Sequence, residues 1–280
     1  MKHHTITGGG GCRLHLVETG NPQGRAILFI HGFSQCALAW DRQLDSSLAS
    51  RYRLVAMDMR GHGLSDVPLD GYGDSPLWAD DIDAAIRGLA LDHPILCGWS
   101  YGPLVMLDYI RKFGEDAIGG IHLVGAITKL GSDAALSVLT PEFLALVPGF
   151  FSSDVKESVL SLGSLIAMCV TSELSPTDRF TMLGYNVSVP PFVRRALFAR
   201  VLDNDDVLAT ISRPVLITHG AEDAIVRLDA VEQHRARIPH AQIQVVPGAG
   251  HAVFRDAAGA FNQRLIAFSE QVSRGGLVRA

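Results

Sequence analysis

Apolar positions along the chain form short continuous runs that alternate with longer stretches of helical spacing. Continuous runs rich in branched apolar residues predict buried strands over 26–32, 52–61, 94–100, 118–127, 213–220 and 241–248. Because successive side chains of a strand point to opposite faces, a continuously apolar strand implies a sheet covered on both faces. Helical patterns follow most of these strands, among them a predicted helix over 41–50 after the first strand. The sequence therefore predicts an α/β fold with a mostly parallel, doubly wound sheet. The start of the chain, 5–20, predicts a hairpin that adds an antiparallel edge.

One long segment interrupts this alternation. Between 128 and 205 the sequence has short apolar helical stretches divided by prolines and glycines, and no convincing strand pattern. Ligand sites of open α/β sheets lie at the carboxyl edge of the strands. We therefore expect an all-helical cap, or lid, over that edge at 128–205, inserted into a core made of 1–127 and 206–280.

Composition narrows the class of protein. With 48% apolar and 19% charged residues among 280, the chain can bury a sizeable core. A net charge of −5 and the absence of a dense Lys/Arg cluster argue against nucleic acid as a partner. The first twenty residues resemble no signal peptide, and no apolar stretch is long enough to cross a membrane, so we expect a cytoplasmic protein without a membrane partner. The cysteines have no metal-ligand spacing and are expected to be reduced, buried thiols: Cys12, Cys36, Cys97 and Cys169.

The segment Gly98-Trp99-Ser100-Tyr101-Gly102 joins a predicted strand to a predicted helix. By itself it is unspecific, because a serine between two glycines also occurs in ordinary connections. In a strand-to-helix elbow, however, the central residue projects clear of the sheet, and glycines two before and two after it let the neighbouring backbone approach. The context therefore favours Ser100 as a nucleophile.

A serine hydroxyl needs a base, and the base needs an acid that orients it. His251 follows the last predicted strand and Asp223 follows the one before it, so both belong to the same sheet edge as Ser100. The order Ser, Asp, His is the one expected for hydrolases of this fold. Glu222 could in principle replace Asp223. A further acid, Asp58, precedes the serine, and a turn-stabilising role is expected for its group: Asp58, Arg60, His62 and Asp66.

The oxyanion of a tetrahedral intermediate needs two hydrogen-bond donors. One is expected to be the backbone N–H of Tyr101, which follows the nucleophile. The other should come from the loop after 26–32, where we expect the N–H of Phe33, with Ser34 as an alternative.

Five segments, in this order, resemble the α/β-hydrolase family, in particular its compact capped esterases: FIHGF (29–33), DMRGHGLSD (58–66), GWSYG (98–102), HGAEDAIV (219–226) and GAGHAVF (248–254). The resemblance covers nearly the whole chain and implies a triad of Ser100, Asp223 and His251 that acts without metal or cofactor. Many relatives have a second glycine where this chain has Pro103. The dehalogenase and epoxide hydrolase branches use an aspartate nucleophile, and Ser100 argues against both.

These observations predict a hydrolase that cleaves small to medium carboxylic esters through an acyl-enzyme. Cleavage of a carbon–carbon bond, lactone opening and perhydrolysis remain open as alternatives, as does a ligand-binding, receptor-like module that retains the triad. We expect a small-molecule ester as the partner of a monomer or homodimer. The acyl pocket is expected to be apolar, although such residues also pack against a core: Trp99, Phe143, Phe150 and Tyr185.

Overall fold

The computed structural model describes residues 1–277, with side chains as far as residue 273. The strands of this part are β1 Lys2–Thr7, β2 Arg13–Gly20, β3 Ala26–Ile30, β4 Arg53–Met57, β5 Ile95–Trp99, β6 Gly120–Val124, β7 Lys129–Leu130, β8 Leu202–Asp203, β9 Val215–Gly220 and β10 Gln242–Val246. Its α-helices are α1 Asp41–Leu44, α2 Ser75–Gly88, α3 Gly102–Phe113, α4 Asp133–Leu136, α5 Pro141–Phe150, α6 Val155–Cys169, α7 Pro176–Ser188, α8 Pro191–Phe198, α9 Asp205–Thr210, α10 Asp229–Arg237, α11 Val253–Asp256 and α12 Ala258–Leu277.

The main sheet has eight strands in the order β1-β2-β4-β3-β5-β6-β9-β10. The β1–β2 and β2–β4 pairs are antiparallel, and the other pairs are parallel. Every residue of β3, β5, β6 and β9 is buried, which explains their continuously apolar sequences. The predicted doubly wound α/β fold with an antiparallel edge is confirmed. Because β5, β9 and β10 run parallel, their carboxyl ends meet at one edge.

The helix predicted over 41–50 is wrong as a single element. The chain forms α1 there and then a separate 3-10 turn, Ser47–Ser50. Ser46 divides the two, because its backbone is extended and its Oγ accepts a hydrogen bond from the Leu48 N–H at 3.2 Å. A serine that caps the next turn competes with continuation of the helix before it.

Five helices, α4 to α8, lie between β7 and β8. They contact loops that follow the strands at the carboxyl edge: the Ser34 Oγ donates to the Asn186 O, and the Ala252 N–H donates to the Cys169 O. The two short strands pair antiparallel through Lys129↔Asp203 and Leu130↔Leu202, and the predicted cap limits at 128 and 205 flank this ribbon. Two residues per strand are too few to show an alternating pattern, so this ribbon could not be predicted from the sequence.

Arg194 joins the helices of this segment. Its side chain is buried, and its Nε donates to the Phe150 O at 2.7 Å, at the end of α5. Its other nitrogens donate to the Asn186 O at 3.1 Å and to the Ser158 Oγ at 3.0 Å. Burial lowers the pKa of Arg194 to about 10, so the guanidinium remains charged at neutral pH. A charged donor satisfied by carbonyls and a hydroxyl therefore fixes α5, α6 and α7 relative to one another.

All four cysteines are buried and unpaired. Among the described helices, none combines the length and the apolar character needed to cross a membrane.

Candidate active site

Ser100 lies at the turn from β5 into α3 with a strained backbone. Its φ is +58°, in the left-handed region that costs a non-glycine residue roughly 1–3 kcal/mol when the surroundings impose it. Its N–H donates to the Val124 O at 2.9 Å, and its carbonyl accepts from the Ile127 N–H at 3.1 Å. These two bonds to the chain after β6 hold the strained turn, and the Ser100 side chain is partly exposed.

The glycines on both sides of the turn are required by close approach. A Cβ on Gly98 would overlap the Met106 Sδ and lie 2.9 Å from the Pro103 N, and one on Gly102 would lie 2.7 Å from the Ile30 O. On the facing loop, a Cβ on Gly32 would lie 3.0 Å from the Cβ of Ser100. The loop after β3 therefore passes directly beside Ser100, as the elbow prediction requires.

Asp223 and His251 meet at the same edge. The His251 Nδ1 lies 2.7 Å from the Asp223 Oδ2, and both side chains are almost fully buried. The Asp223 Oδ1 accepts from the Ile225 N–H at 2.8 Å and from the Val226 N–H at 2.9 Å. Burial by itself would raise the pKa of Asp223, but His251 and the Val226 N–H outweigh it and hold that pKa below its usual range. The acid is therefore ionised at neutral pH.

A second histidine contacts the same carboxylate. The His219 Nε2 lies 2.9 Å from the Val226 O, so this nitrogen carries the proton, and it lies 3.4 Å from the Asp223 Oδ2. Burial lowers the pKa of His219, which keeps the ring neutral. Sequence reasoning missed this residue. The available signal was its position at the end of β9, four residues before Asp223.

His251 lies against the serine elbow. The Trp99 Nε1 donates to the His251 O at 3.0 Å, and a Cβ on Gly125 would lie 3.1 Å from the His251 Nδ1. Because Nδ1 faces a carboxylate, which only accepts, it carries the ring proton. The Nε2 of His251 is then the nitrogen that can take a proton from a hydroxyl.

Three buried backbone N–H groups near Ser100 have no acceptor among the residues that the structure describes. Phe33 and Tyr101 are buried, and neither N–H donates in the hydrogen bonds of the described residues. The same is true of the Ser34 N–H, so both alternatives for the second oxyanion donor persist. Ser34 has a φ of +59°, and its Oγ donates to the Asn186 O at 3.1 Å, which ties this loop to α7. Buried N–H groups without a partner are rare, and a site for an anion is one explanation for them.

The four residues predicted to contact substrate occupy different environments. The rings of Phe150 and Phe33 lie 5.6 Å apart, and Phe143 packs on Phe150 at 6.0 Å. Tyr185 lies in a separate cluster with Cys36, Ile166 and Met182. Trp99 is 2% exposed and its ring packs on Phe254 with centroids 4.9 Å apart. It therefore contacts the core and the loop that carries His251.

The Phe33 ring has another neighbour that the sequence did not reveal. Phe198, the last residue of α8, meets it edge to face with ring centroids 4.7 Å apart. Phe198 was missed because it belongs to a short helix whose orientation the sequence does not specify.

The acidic alternative, Asp58, has a structural role. Its Oδ1 accepts from the Ala37 N–H at 2.7 Å, and its Oδ2 accepts from the Leu64 N–H at 2.9 Å. Arg60 forms a buried ion pair with Asp81 at 2.7 Å. These contacts stabilise the turn after β4, as the sequence suggested. Within the described part of the chain, no three His, Cys, Asp or Glu residues are grouped so that they could hold a metal ion.

Known proteins similar to this chain include esterases and related enzymes. The sequence profile of the alpha/beta hydrolase fold matches residues 25–258. The esterase RhEst1 from Rhodococcus sp. ECU1013 is 33% identical, with a TM-score of 0.91 over 98% of this chain and 99% of that one. Epoxide hydrolase 1 of Caenorhabditis elegans is 38% identical over 281 residues, 91% of this chain and 67% of its own length. The non-heme chloroperoxidase CPO-A1 of Kitasatospora aureofaciens is 28% identical over 250 residues, 82% of this chain and 86% of its own length.

The match to the family profile spans the sheet from β3 to β10 and extends to the start of α12. It agrees with the strand order and with the elbow at Ser100, and an esterase is among the structures of closely similar shape. These findings support a hydrolase, and the chain belongs to the alpha/beta hydrolase fold family.

Proposed function

We propose that this protein is a carboxylic ester hydrolase that forms an acyl-enzyme on Ser100. The observation that carries the proposal is a strained, partly exposed serine whose neighbour, Trp99, bonds the carbonyl of a histidine that is itself paired with a buried carboxylate. An ionised Asp223 bonded to the His251 Nδ1 presents Nε2 as a base toward the elbow.

In the proposed reaction, the Ser100 Oγ attacks the ester carbonyl carbon while the His251 Nε2 takes the hydroxyl proton. The N–H groups of Tyr101 and Phe33 bind the oxyanion, which forms at the amino end of α3, where the helix dipole favours negative charge. His251 then gives its proton to the leaving alcohol. Water attacks the acyl-enzyme by the same route in reverse, which releases the acid and restores Ser100.

The apolar residues near Phe33 support an acyl or alkyl group of small to medium size. Phe150 of α5 and Phe198 of α8 pack on the ring of Phe33, whose N–H is the proposed oxyanion donor, and Phe143 packs on both of them. A substrate carbonyl bound by that N–H would therefore place its substituents beside aromatic side chains.

Perhydrolysis is the second candidate, and the similarity to a non-heme chloroperoxidase favours it. Hydrogen peroxide would replace water in the attack on the acyl-enzyme, so that a peracid leaves and the Ser100 hydroxyl is restored. The epoxide hydrolase relative is a weaker guide, because the aspartate nucleophile of that branch is replaced here by serine. We also propose a reducing compartment such as the cytoplasm, since four unpaired thiols are typical of one.

The test is the reaction of wild type and Ser100→Ala with a fluorophosphonate probe and with p-nitrophenyl esters of graded acyl length. We expect one probe molecule bound per chain, turnover that is highest with short or medium acyl groups, and loss of both in Ser100→Ala. Ser137→Ala is the matched control and should behave as wild type, because Ser137 is exposed and its hydroxyl donates to the local Ala134 O. Slow or absent labelling of the wild type would favour a binding protein instead.

A further inference from the structure

The loop that carries His251 is bonded to the end of α6 as well as to the core. The Ala252 N–H donates to the Cys169 O at 2.6 Å, and the Thr171 Oγ1 donates to the Gly248 O at 2.7 Å. We call residues 169–172 the α6 tail. It belongs to the helical segment over the sheet edge, yet it contacts the residues on both sides of His251.

The carboxylate of Asp256, at the end of α11, joins the same two segments. Its Oδ2 accepts from the Gly250 N–H at 2.8 Å and from the Thr171 N–H at 3.0 Å. Its Oδ1 accepts from the Ser172 N–H at 3.2 Å and from the Ser172 Oγ at 2.8 Å. Burial raises the pKa of Asp256, but the N–H groups of Gly250 and Thr171 outweigh it and leave that pKa below its usual range. Asp256 is therefore a charged acceptor with four donors around it.

We propose that Asp256 is a positioning residue for His251, and that the α6 tail helps to hold the catalytic base in place. The proposal rests on the function given above. Gly250 and Ala252 flank His251, and their N–H groups are held by Asp256 and the α6 tail, while Trp99 holds the His251 carbonyl. The main chain of His251 is thus restrained before, at and after the histidine. A shift of the α6 tail moves the imidazole relative to Ser100.

The consequence for catalysis is large because proton transfer depends on short distances. A displacement of 1 Å at a reacting group can lower the rate by about a hundredfold. The α6 tail therefore couples the placement of the helical segment to the rate of the chemical step, and not only to the shape of the substrate pocket.

A carboxylate that belongs to the helical segment itself provides a matched control. The Asp178 Oδ1, in the first turn of α7, accepts from the Arg255 Nη2 at 2.6 Å. This bond also attaches the helical segment to the core, but it involves no residue of the His251 loop between 248 and 252. Asp256→Asn and Asp178→Asn remove the same charge from two attachments, of which only the first supports His251.

The experiment compares ester turnover of the two variants with the wild type. In Asp256→Asn the amide NH2 faces N–H donors whichever way it is oriented, so Gly250 or Ser172 loses its acceptor. In Asp256→Asn we expect kcat to fall about tenfold or more, with KM within twofold of the wild type. We expect Asp178→Asn to keep the wild-type kcat, although its unfolding temperature falls by a similar amount to that of Asp256→Asn. The low-field proton resonance of the His251 Nδ1–H should broaden or shift in Asp256→Asn only.

Equal kinetics and an unchanged resonance in both variants would overturn the proposal and leave Asp256 as a plain attachment of the helical segment. If Asp256→Asn does not fold, Ser172→Ala and Thr171→Val remove one side-chain hydrogen bond each, and wild-type kcat in both would overturn it equally. Failure of the wild type to cleave any ester counts against the proposed function alone, because the resonance still reports the position of His251.

Discussion

Substitution of Asp223 by asparagine should reverse the tautomer of His251, and the surroundings of the carboxylate explain why. The Oδ1 position is fixed by two backbone donors, Ile225 and Val226, which an amide NH2 cannot replace. The amide oxygen must therefore occupy that position, and the NH2 must face the His251 Nδ1. An imidazole that accepts at Nδ1 carries its proton on Nε2 and cannot take one from Ser100.

The expected loss follows from the role of the acid. In serine proteases the equivalent change, which leaves the histidine in the wrong tautomer, lowers kcat by about 10⁴, or roughly 5 kcal/mol at about 1.4 kcal/mol per factor of ten. Stability should fall by only about 1.5–3 kcal/mol, the contribution of one hydrogen bond to a charged group. The nearby His219 Nε2–H, 3.4 Å from the Oδ2, would then face a second donor and add to this loss.

The assay is steady-state hydrolysis of a p-nitrophenyl ester at pH 7–8, together with urea unfolding of each variant. Glu222→Gln is the control, since this neighbouring acid was the alternative at the sequence level and should retain wild-type kcat. Retention of more than a tenth of the wild-type kcat by Asp223→Asn would refute the tautomer argument. A large loss of kcat in Glu222→Gln with little change of kcat in Asp223→Asn would refute it as well.

Three further outcomes concern stability. Gly98→Ala should lower the free energy of unfolding by about 1–3 kcal/mol, because the new Cβ would overlap the Met106 Sδ and lie 2.9 Å from the backbone N of Pro103. Urea titration measures the change, and an unchanged midpoint would contradict it. Arg194→Met should lower the free energy of unfolding by about 2–4 kcal/mol, because buried carbonyls lose their donor. The same titration measures this, and a more stable variant would contradict the role given to Arg194. Burial lowers the pKa of His122 to about 3, so at this residue only the unfolded state binds a proton as pH falls through 6.5. Other buried histidines with lowered pKa values act in the same direction, so His122→Gln should make the loss of stability between pH 6 and 4 less steep by up to about 1.4 kcal/mol per pH unit, and an unchanged slope would contradict this.

Much of the site could be predicted because it depends on where strands end. Ser100 and Asp223 each follow a strand whose apolar run is readable, and carboxyl ends of parallel strands share an edge by construction. The glycines around Ser100 also follow from local sterics. The same reasoning placed His251 after β10, although the sequence shows only that these residues approach one another, not the bond between them.

Contacts between segments far apart in the chain could not be predicted. Thr171 and Asp256 are 85 residues apart, and nothing in either local sequence indicates that they meet. The contact between Phe33 and Phe198 likewise depends on the direction in which α8 leaves the elements before it. Periodicity describes which face of a helix is apolar, but not the partner against which that face packs.

The sequence by itself thus determined the sheet, the strained elbow at Ser100 and the edge at which Asp223 and His251 lie, because local pattern and chain direction are sufficient for these. Only the tertiary structure decided that His219 contacts the acid, that Trp99 holds the histidine loop and that Asp256 ties this loop to the α6 tail. Such contacts depend on how the helical segment packs on the core, which is the sum of many weak side-chain interactions that no single motif encodes.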